Sequence, residues 1–514
     1  MCHPSAERGT CNGAMLLACR FDGFQRGIMI RIMVRITVRI QSICPIIVLI
    51  VCAVLVGCRA NSIYGGGGGP QGGNSSVVLA MTDSPPSGVT ILAAEVTLTG
   101  ATLSPGNISL FSGSTTVELT RLQTDVAYIA TAANIPAGNY TSITLTFANP
   151  SLTIEYDTSV KIGTCAALGT ICTMAPTSTA NLSTTIPLTG FSIASSSVTG
   201  LLVDVNLENL LSATLGADFG AGTTATSFTP GGLNAPPVGA EDVVGQVSNI
   251  NAGNNTFTLT NALASYSLRT DNTSNFAQFP VSSTCSSPAF SCVQNNQILS
   301  VDIGMQADGT ILARNLLFED ADSSDAEVEG IITSSNVASS QFSMVVLTIS
   351  AGGTGLSIGE PVTVQYSLQT RYSIDYMHVD NLQVDTSSFT SSFTGPADLV
   401  TGQQVSIRRN NTSGSTIIAD RVRLRSTRIT ATVQSVGAPT IILTNLPFLF
   451  SGHGGVTQIF AQTSVTPPTI YYEINGSINA STNILGDLVS VRGPLFNTGG
   501  ANRTMVTDKV VLKP

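Results

Sequence analysis

Tryptophan is absent from this 514-residue chain, histidine occurs three times, and charged residues make up only 10% of it. A cytosolic helical enzyme usually carries more charge, so the scarcity, with abundant Thr, Ser, Asn and Gly, points to an exported β-rich protein. No window of a dozen residues carries a convincing helical stripe, although 206–215 could form one short helix. The apolar run Ile43–Gly57 has 15 residues with Pro45 inside it, short of the ~20 that cross a bilayer as a helix. Basic residues are also few. Residues 1–57 hold six Arg and two acids, which leaves 16 basic and 29 acidic residues beyond them, a net charge of −13. A chain with no overall basic field has nothing with which to displace phosphate counterions, which argues against general nucleic-acid binding.

The signals that are present begin with an address. Arg31, Arg35 and Arg39 precede the apolar run, which ends Leu55-Val56-Gly57-Cys58. The order basic, apolar, small residue, cysteine is that of a secretory signal ending on a thiol. It resembles the lipobox of bacterial lipoproteins, which implies that Cys58 becomes the N-terminus and carries the lipid. Arg59 after it, where the sorting pattern would need Asp for inner-membrane retention, implies an outer membrane where one exists. Residues 1–57 therefore read as signal peptide, with 1–28 a gene-model extension and Met29 the start, and 58–76 as a Gly-rich tether. A retained transmembrane helix is the alternative. Six of the ten cysteines lie at or before Cys58. The other four form two C-x6-C pairs, Cys165 with Cys172 and Cys285 with Cys292. In an exported chain these read as local disulfides, each contributing roughly 2–3 kcal/mol. Zinc competes poorly, because the remaining histidines, His378 and His453, are distant in sequence from both pairs.

From Val77 the pattern becomes short alternating strands such as Glu95-Val96-Thr97-Leu98-Thr99, separated by Pro/Gly turns. Residues 77–220 read as a β-sandwich with Val203, Val205 and Leu207 on a late inward-facing strand. The Asp83-Ser84-Pro85 start, Leu119-Thr120-Arg121-Leu122, Pro136-Ala137-Gly138-Asn139-Tyr140 and Val203-Asp204-Val205 resemble the domain-of-unknown-function family numbered 4382. That resemblance implies a prealbumin-like or carbohydrate-binding-like sandwich and supplies no catalytic residue. A Thr, Gly and Pro-rich linker is expected over 221–240.

A repeat follows. Val243-Val244-Gly245-Gln246-Val247, Val328-Glu329-Gly330-Ile331-Ile332 and Ile429-Thr430-Ala431-Thr432-Val433 open three units. Leu299-Ser300-Val301, Val405-Ser406-Ile407 and Val489-Ser490-Val491 each begin a closing strand–turn–strand. The units span 241–326, 327–427 and 428–514 and resemble the family numbered 5666, small extracytoplasmic β-barrels in tandem. The expected fold is all-β: a sandwich and three small barrels after the signal and tether.

Four features could carry chemistry. Arg421, Arg423 and Arg425 alternate along one strand and could meet anionic polysaccharide or lipid phosphate, or pair with acids of a neighbouring repeat. Asp320, Asp322 and Asp325 are a weak candidate for a cation site, without EF-hand spacing. Gly355-Leu356-Ser357-Ile358-Gly359 matches a nucleophile elbow as a string, and Gly452-His453-Gly454-Gly455 an oxyanion loop, but a strand pattern, Pro361–Tyr366, follows where an elbow needs a helix. Tyr366, Tyr372, Tyr376, Tyr471 and Tyr472 could form sugar-stacking platforms or fill barrel edges. The expectation is a lipid-anchored, non-enzymatic envelope protein without cofactor or metal. Its candidate partners are the membrane, envelope polysaccharide or another envelope protein. A hydrolase using Ser357 and a pure spacer or assembly module are the alternatives.

Overall fold

A computed structural model describes residues 75–84, 90–157, 165, 167–174, 182–207, 222–231, 239–283, 285–321, 327–350, 355–375, 392–413, 416–463, 469–473, 476–477, 484–499 and 501–512. Cys58, the signal segment and the tether lie outside these residues.

The chain is all-β. Nine strands come first: β1 (Ser75–Ser84), β2 (Thr90–Ser104), β3 (Ile108–Glu118), β4 (Ala127–Ile135), β5 (Gly138–Glu155), β6 (Ile171–Met174), β7 (Ser183–Ile193), β8 (Val198–Asn206) and β9 (Thr223–Phe228). They form two sheets, one ordered β4-β1-β8-β9 and the other β3-β2-β5-β6 with β7 also on β5. Between them Leu79, Met81, Val203 and Val205 face Leu98, Ile143, Leu145 and Phe147. Tyr140 is buried against Phe191, and its hydroxyl donates back to the Pro136 carbonyl (2.8 Å), which fixes the Pro-Ala-Gly turn before it. The linker expected over 221–240 is corrected in part: Thr223–Phe228 pairs antiparallel with β8, Thr223 opposite Val205 and Phe228 opposite Gly200, and adds to the sheet as its edge strand.

Three barrels follow. The first holds β10 (Ala240–Asn251), β11 (Thr256–Thr260), β12 (Ser265–Arg269), β13 (Asn275–Ala277), β14 (Ile298–Met305) and β15 (Ile311–Asp320). The second holds β16 (Glu327–Asn336), β17 (Gln341–Ile349), β18 (Pro361–Gln365), β19 (Arg371–Ile374), β20 (Gln404–Ser413) and β21 (Thr416–Leu424). The third holds β22 (Ser426–Gly437), β23 (Thr440–Thr444), β24 (Gln458–Gln462), β25 (Ile470–Glu473), β26 (Gly476–Ser477), β27 (Leu488–Phe496), β28 (Asn502–Val506) and β29 (Lys509–Leu512). In each, the first long strand pairs with the second and with the fourth, and the third runs parallel to the fifth: β12 with β15, β18 with β21, β24 with β28. This closes five strands in the order 1-2-3-5-4-1, the connectivity of an OB-fold.

The glycine in the opening strand of the first two barrels has a steric cause. A Cβ at Gly330 would lie 2.4 Å from the Val345 carbonyl oxygen, and one at Gly245 would lie 2.8 Å from that of Thr260. The neighbouring strand comes that close because the β16–β17 register shifts between Glu329 and Gly330. Gly330→Ala should therefore destabilise the purified protein by roughly 1–3 kcal/mol, the range for overpacking a close contact, read as a lower urea midpoint. An unchanged midpoint would mean that the strands can part at no cost.

Candidate functional site

Along β14, β20 and β27 the apolar residues enter the barrel cores, and the intervening Ser300, Ser406 and Ser490 point outward. Solvent does not reach them, for all three are buried. They also hold one register, opposite Val244, Glu329 and Thr430 respectively. Ser300 accepts from Arg425 (2.9 Å), Ser406 donates to Glu327 (2.6 Å), and Ser490 shares a hydrogen bond with Thr430. The outer walls of the barrels thus meet one another and the sandwich through polar groups.

Two acids organise this junction. Glu319, at the end of β15, receives Arg421 (3.0 Å), Arg423 and Arg425 (3.3 Å), while Arg425 also pairs with Asp375 and Arg421 with Glu327. Of the two readings of Arg421, Arg423 and Arg425, the anion-binding stripe is corrected here, and the pairing with acids of a neighbouring repeat is what the structure shows. Their guanidinium groups do share a face, but acids of the first two barrels cover it, and Arg425 is 0% exposed. Asp125, between the sandwich's 3-10 turn (Leu119–Gln123) and β4, pairs with Arg428 and Lys509 (3.0 Å). Glu241 of the first barrel joins Arg492 and Lys509 of the third (3.1 Å to Lys509). Burial alone would raise the Asp125 carboxyl, but Arg428, Lys509 and Arg492 outweigh it and hold it well below the usual range. For Glu327 burial prevails, helped by Glu319 and opposed by Arg421, and its carboxyl is pushed up.

Glu118 presents a further cation, Arg121. It is buried and accepts from the backbone N–H groups of Ala94 (2.9 Å), Thr120 (3.2 Å) and Arg121 (3.1 Å). It thereby fixes the turn that carries Arg121 to Glu329 (2.9 Å) and to the Asp242 carbonyl (2.9 Å). Arg121 stands between two clefts. One, of about 80 Å³, is lined by Thr90, Leu92, Ile331, Arg428 and Phe450 among others; the second, of about 50 Å³, is lined by Asp125, Tyr128, Glu241 and Tyr266 among others. Drug-sized ligands occupy roughly 300–1,000 Å³, whereas these spaces suit a few bridging waters. Chemically, the arrangement holds surfaces together.

The other candidates are placed as follows. Ser357 sits in an exposed turn that runs into β18, and its N–H donates to Glu360 (2.9 Å). His453 pairs instead with Glu155 of β5 and packs edge-on against Phe448. Both loops reach β5, since Thr153 donates to the Gly359 carbonyl (2.8 Å), but among the described residues no hydrogen bond joins Ser357 to His453. The strand after the turn leaves the serine without the strand–turn–helix strain of an elbow. Asp320 pairs with Arg408 (2.8 Å); Asp322 and Asp325 lie outside the described residues. Among the described residues no group of three or more His, Cys, Asp or Glu is placed to hold a metal. Tyr366 and Tyr372 are packed between Phe342 and Phe393 inside the second barrel, so they fill its core and offer no open platform. Both cysteine pairs are disulfides, with Cα–Cα separations of 5.9 Å for Cys165–Cys172 and 4.7 Å for Cys285–Cys292.

Two measurements test the junction. Asp125→Asn leaves Arg428 and Lys509 facing a neutral group and should cost about 3–5 kcal/mol, the range for breaking a buried pair; a urea midpoint within error of wild type would exclude this role. Glu95 lies opposite Glu118 on β2–β3, and burial, then Glu118, raise it from 4.5 to about 7. A carboxyl raised by folding contributes stability below its unfolded value and loses it as pH climbs through the folded one. The melting temperature should therefore fall between about pH 5 and 8, and Glu95→Gln should flatten that slope.

No curated protein matches the chain. A solved structure, that of a multidomain protein with nucleic acid binding domains from Streptococcus pneumoniae TIGR4, is similar at 12% identity over 53% of this chain and 73% of that one, with a TM-score of 0.10, too low to carry any argument. Residues 74–229, which contain the sandwich, match the model of the family described as Domain of unknown function (DUF4382).

Proposed function

We propose that this is a lipid-anchored cell-envelope protein whose folded part is a rigid, non-catalytic module, held through Cys58 on an outer membrane where one exists. The observation that carries the reading is the buried junction. It uses the cations and acids that an anion or metal site would need to join sandwich and barrels, and the clefts beside it have room for a few waters. Support for the compartment comes from two disulfides, stable in oxidising surroundings, and from the basic–apolar–Cys58 order. The three barrels are assigned to the tandem extracytoplasmic repeats numbered 5666 on their shared strand–turn–strand ending. Anchoring by lipid suits such a module, because more than one acyl chain gives stable attachment without a spanning helix.

Cells expressing the full chain and fed an alkyne-tagged fatty acid should label the protein, and Cys58→Ser should abolish the label and release the protein from the membrane fraction. An unlabelled wild-type protein in the cytosolic fraction would overturn the reading. A fluorophosphonate probe should not label Ser357; labelling lost in Ser357→Ala would replace the non-catalytic reading with a hydrolase.

A further inference from the structure

The first two barrels share one end, residue for residue. In the first, Asn255 is left-handed (φ 51°) and its carbonyl accepts from the N–H of Thr270 (2.9 Å); in the second, Ser340 (φ 53°) accepts from Tyr366 (3.1 Å). The next turn, Asp271-Asn272-Thr273-Ser274, is closed by Asp271 N–H to Ser274 Oγ (3.0 Å) and docked by Ser274 Oγ to the Ala313 carbonyl (2.6 Å). Its counterpart, Ser367-Leu368-Gln369-Thr370, repeats both bonds, Ser367 N–H to Thr370 Oγ1 (2.9 Å) and Thr370 Oγ1 to the Ala419 carbonyl (2.9 Å). Leu368 therefore occupies the place of Asn272, Val337 that of Ala252, Ser367 that of Asp271, and Ile418 that of Leu312.

Two of these replacements bring in a larger aliphatic side chain, Leu368 for Asn272 and Val337 for Ala252. Leu368 is 101% exposed, Val337 52% and Ile418 43%, whereas Leu312 is buried. Where the first barrel has the carboxylate of Asp271, the second has a hydroxyl, so neither apolar turn carries an acid in a chain with 31 of them. On the strands beside these turns Arg371 and Asp420 neutralise each other as an ion pair (2.9 Å). Single exposed aliphatics need no explanation, but three at one rim, two of them on protruding turns, do. Neither turn, 337–340 or 367–370, holds Trp, Tyr or Arg, the usual anchors of protein interfaces. Aliphatic side chains on uncharged turns can instead enter the boundary between headgroups and acyl chains without repulsion from anionic lipid.

We infer that this rim of the second barrel is the face on which the folded body rests against a lipid surface. The inference depends on the anchoring of Cys58 proposed above. Seventeen residues, 58–74, separate that thiol from β1 and reach at most about 60 Å when extended. A folded body of this size has a radius of gyration of about 22 Å, so the extended tether spans more than twice that distance and leaves the body free to tilt on its anchor.

The absence of tryptophan makes the test direct, because Leu368→Trp provides the one indole in the chain. The full-length lipidated protein carrying Leu368→Trp is reconstituted into phosphatidylethanolamine/phosphatidylglycerol vesicles containing brominated acyl chains, with Asn272→Trp as the matched control and flotation as the measure of anchoring. Brominated lipid should lower the emission at position 368 at least twofold, with little change at 272, and Val337→Asn should weaken the quenching at 368. If the protein floats and both indoles remain equally open to aqueous iodide, the rim inference is overturned and the anchor stands. If it neither floats nor takes up tagged fatty acid, the anchor fails and the inference fails with it.

Discussion

Everything in the described architecture depends on burying carboxylates against guanidinium groups between β-domains. Moving each of these charges out of water costs several kcal/mol. The cost is offset only because Glu319 meets three arginines, Asp125 meets Arg428 and Lys509 with Arg492 alongside, and serine, threonine and glutamine side chains fill remaining positions. An apolar interface of the same area would hold more tightly, yet it would tolerate sliding. Ion pairs with defined partners fix one rotation of each barrel relative to the next, since a small slip strands a charge in a dry place. Rigidity and register at the junction are thus the same property.

Apolar contacts reinforce this arrangement in a way that follows from the pleat. Alternate residues of β1 serve two cores: Val77, Leu79 and Met81 enter the sandwich, and Val78 and Ala80 pack with Tyr128 and Leu202 against the first barrel. On β2, Leu92 and Ala93 join the core of the third barrel. The sandwich consequently has no free outer face where these strands lie, and its boundary with the barrels is a continuation of the packing within it.

Much of this was legible in the sequence and some was not, for reasons tied to particular residues. Period-two alternation located the strands because one face of each enters an apolar core, and the serine recurring at Ser300, Ser406 and Ser490 revealed the threefold repeat. What the alternation could not reveal was the surroundings of the polar face. Arg421, Arg423 and Arg425 alternate in the same way whether they face water or Glu319, because the partner lies about a hundred residues away. One signal did exist. The run Val77-Val78-Leu79-Ala80-Met81 does not alternate, and a strand without alternation is covered on both sides. Thr223–Phe228 was read as linker because flanking Gly and Pro dominate its composition, yet an edge strand needs only one hydrogen-bonded neighbour, which β8 provides.

The parallel pairing of β1 with β8 bears on how the polypeptide matures. One edge of β1 meets β4 about 50 residues later, but the other stays open until β8 arrives some 120 residues on, and Val78 and Ala80 are fully covered only when the first barrel joins. A chain made from its N-terminus therefore carries an open strand edge through most of the synthesis of the sandwich. Long-range pairing of this kind is slow to form and exposed to aggregation until it does, so the opening strand sets the pace at which the sandwich can close.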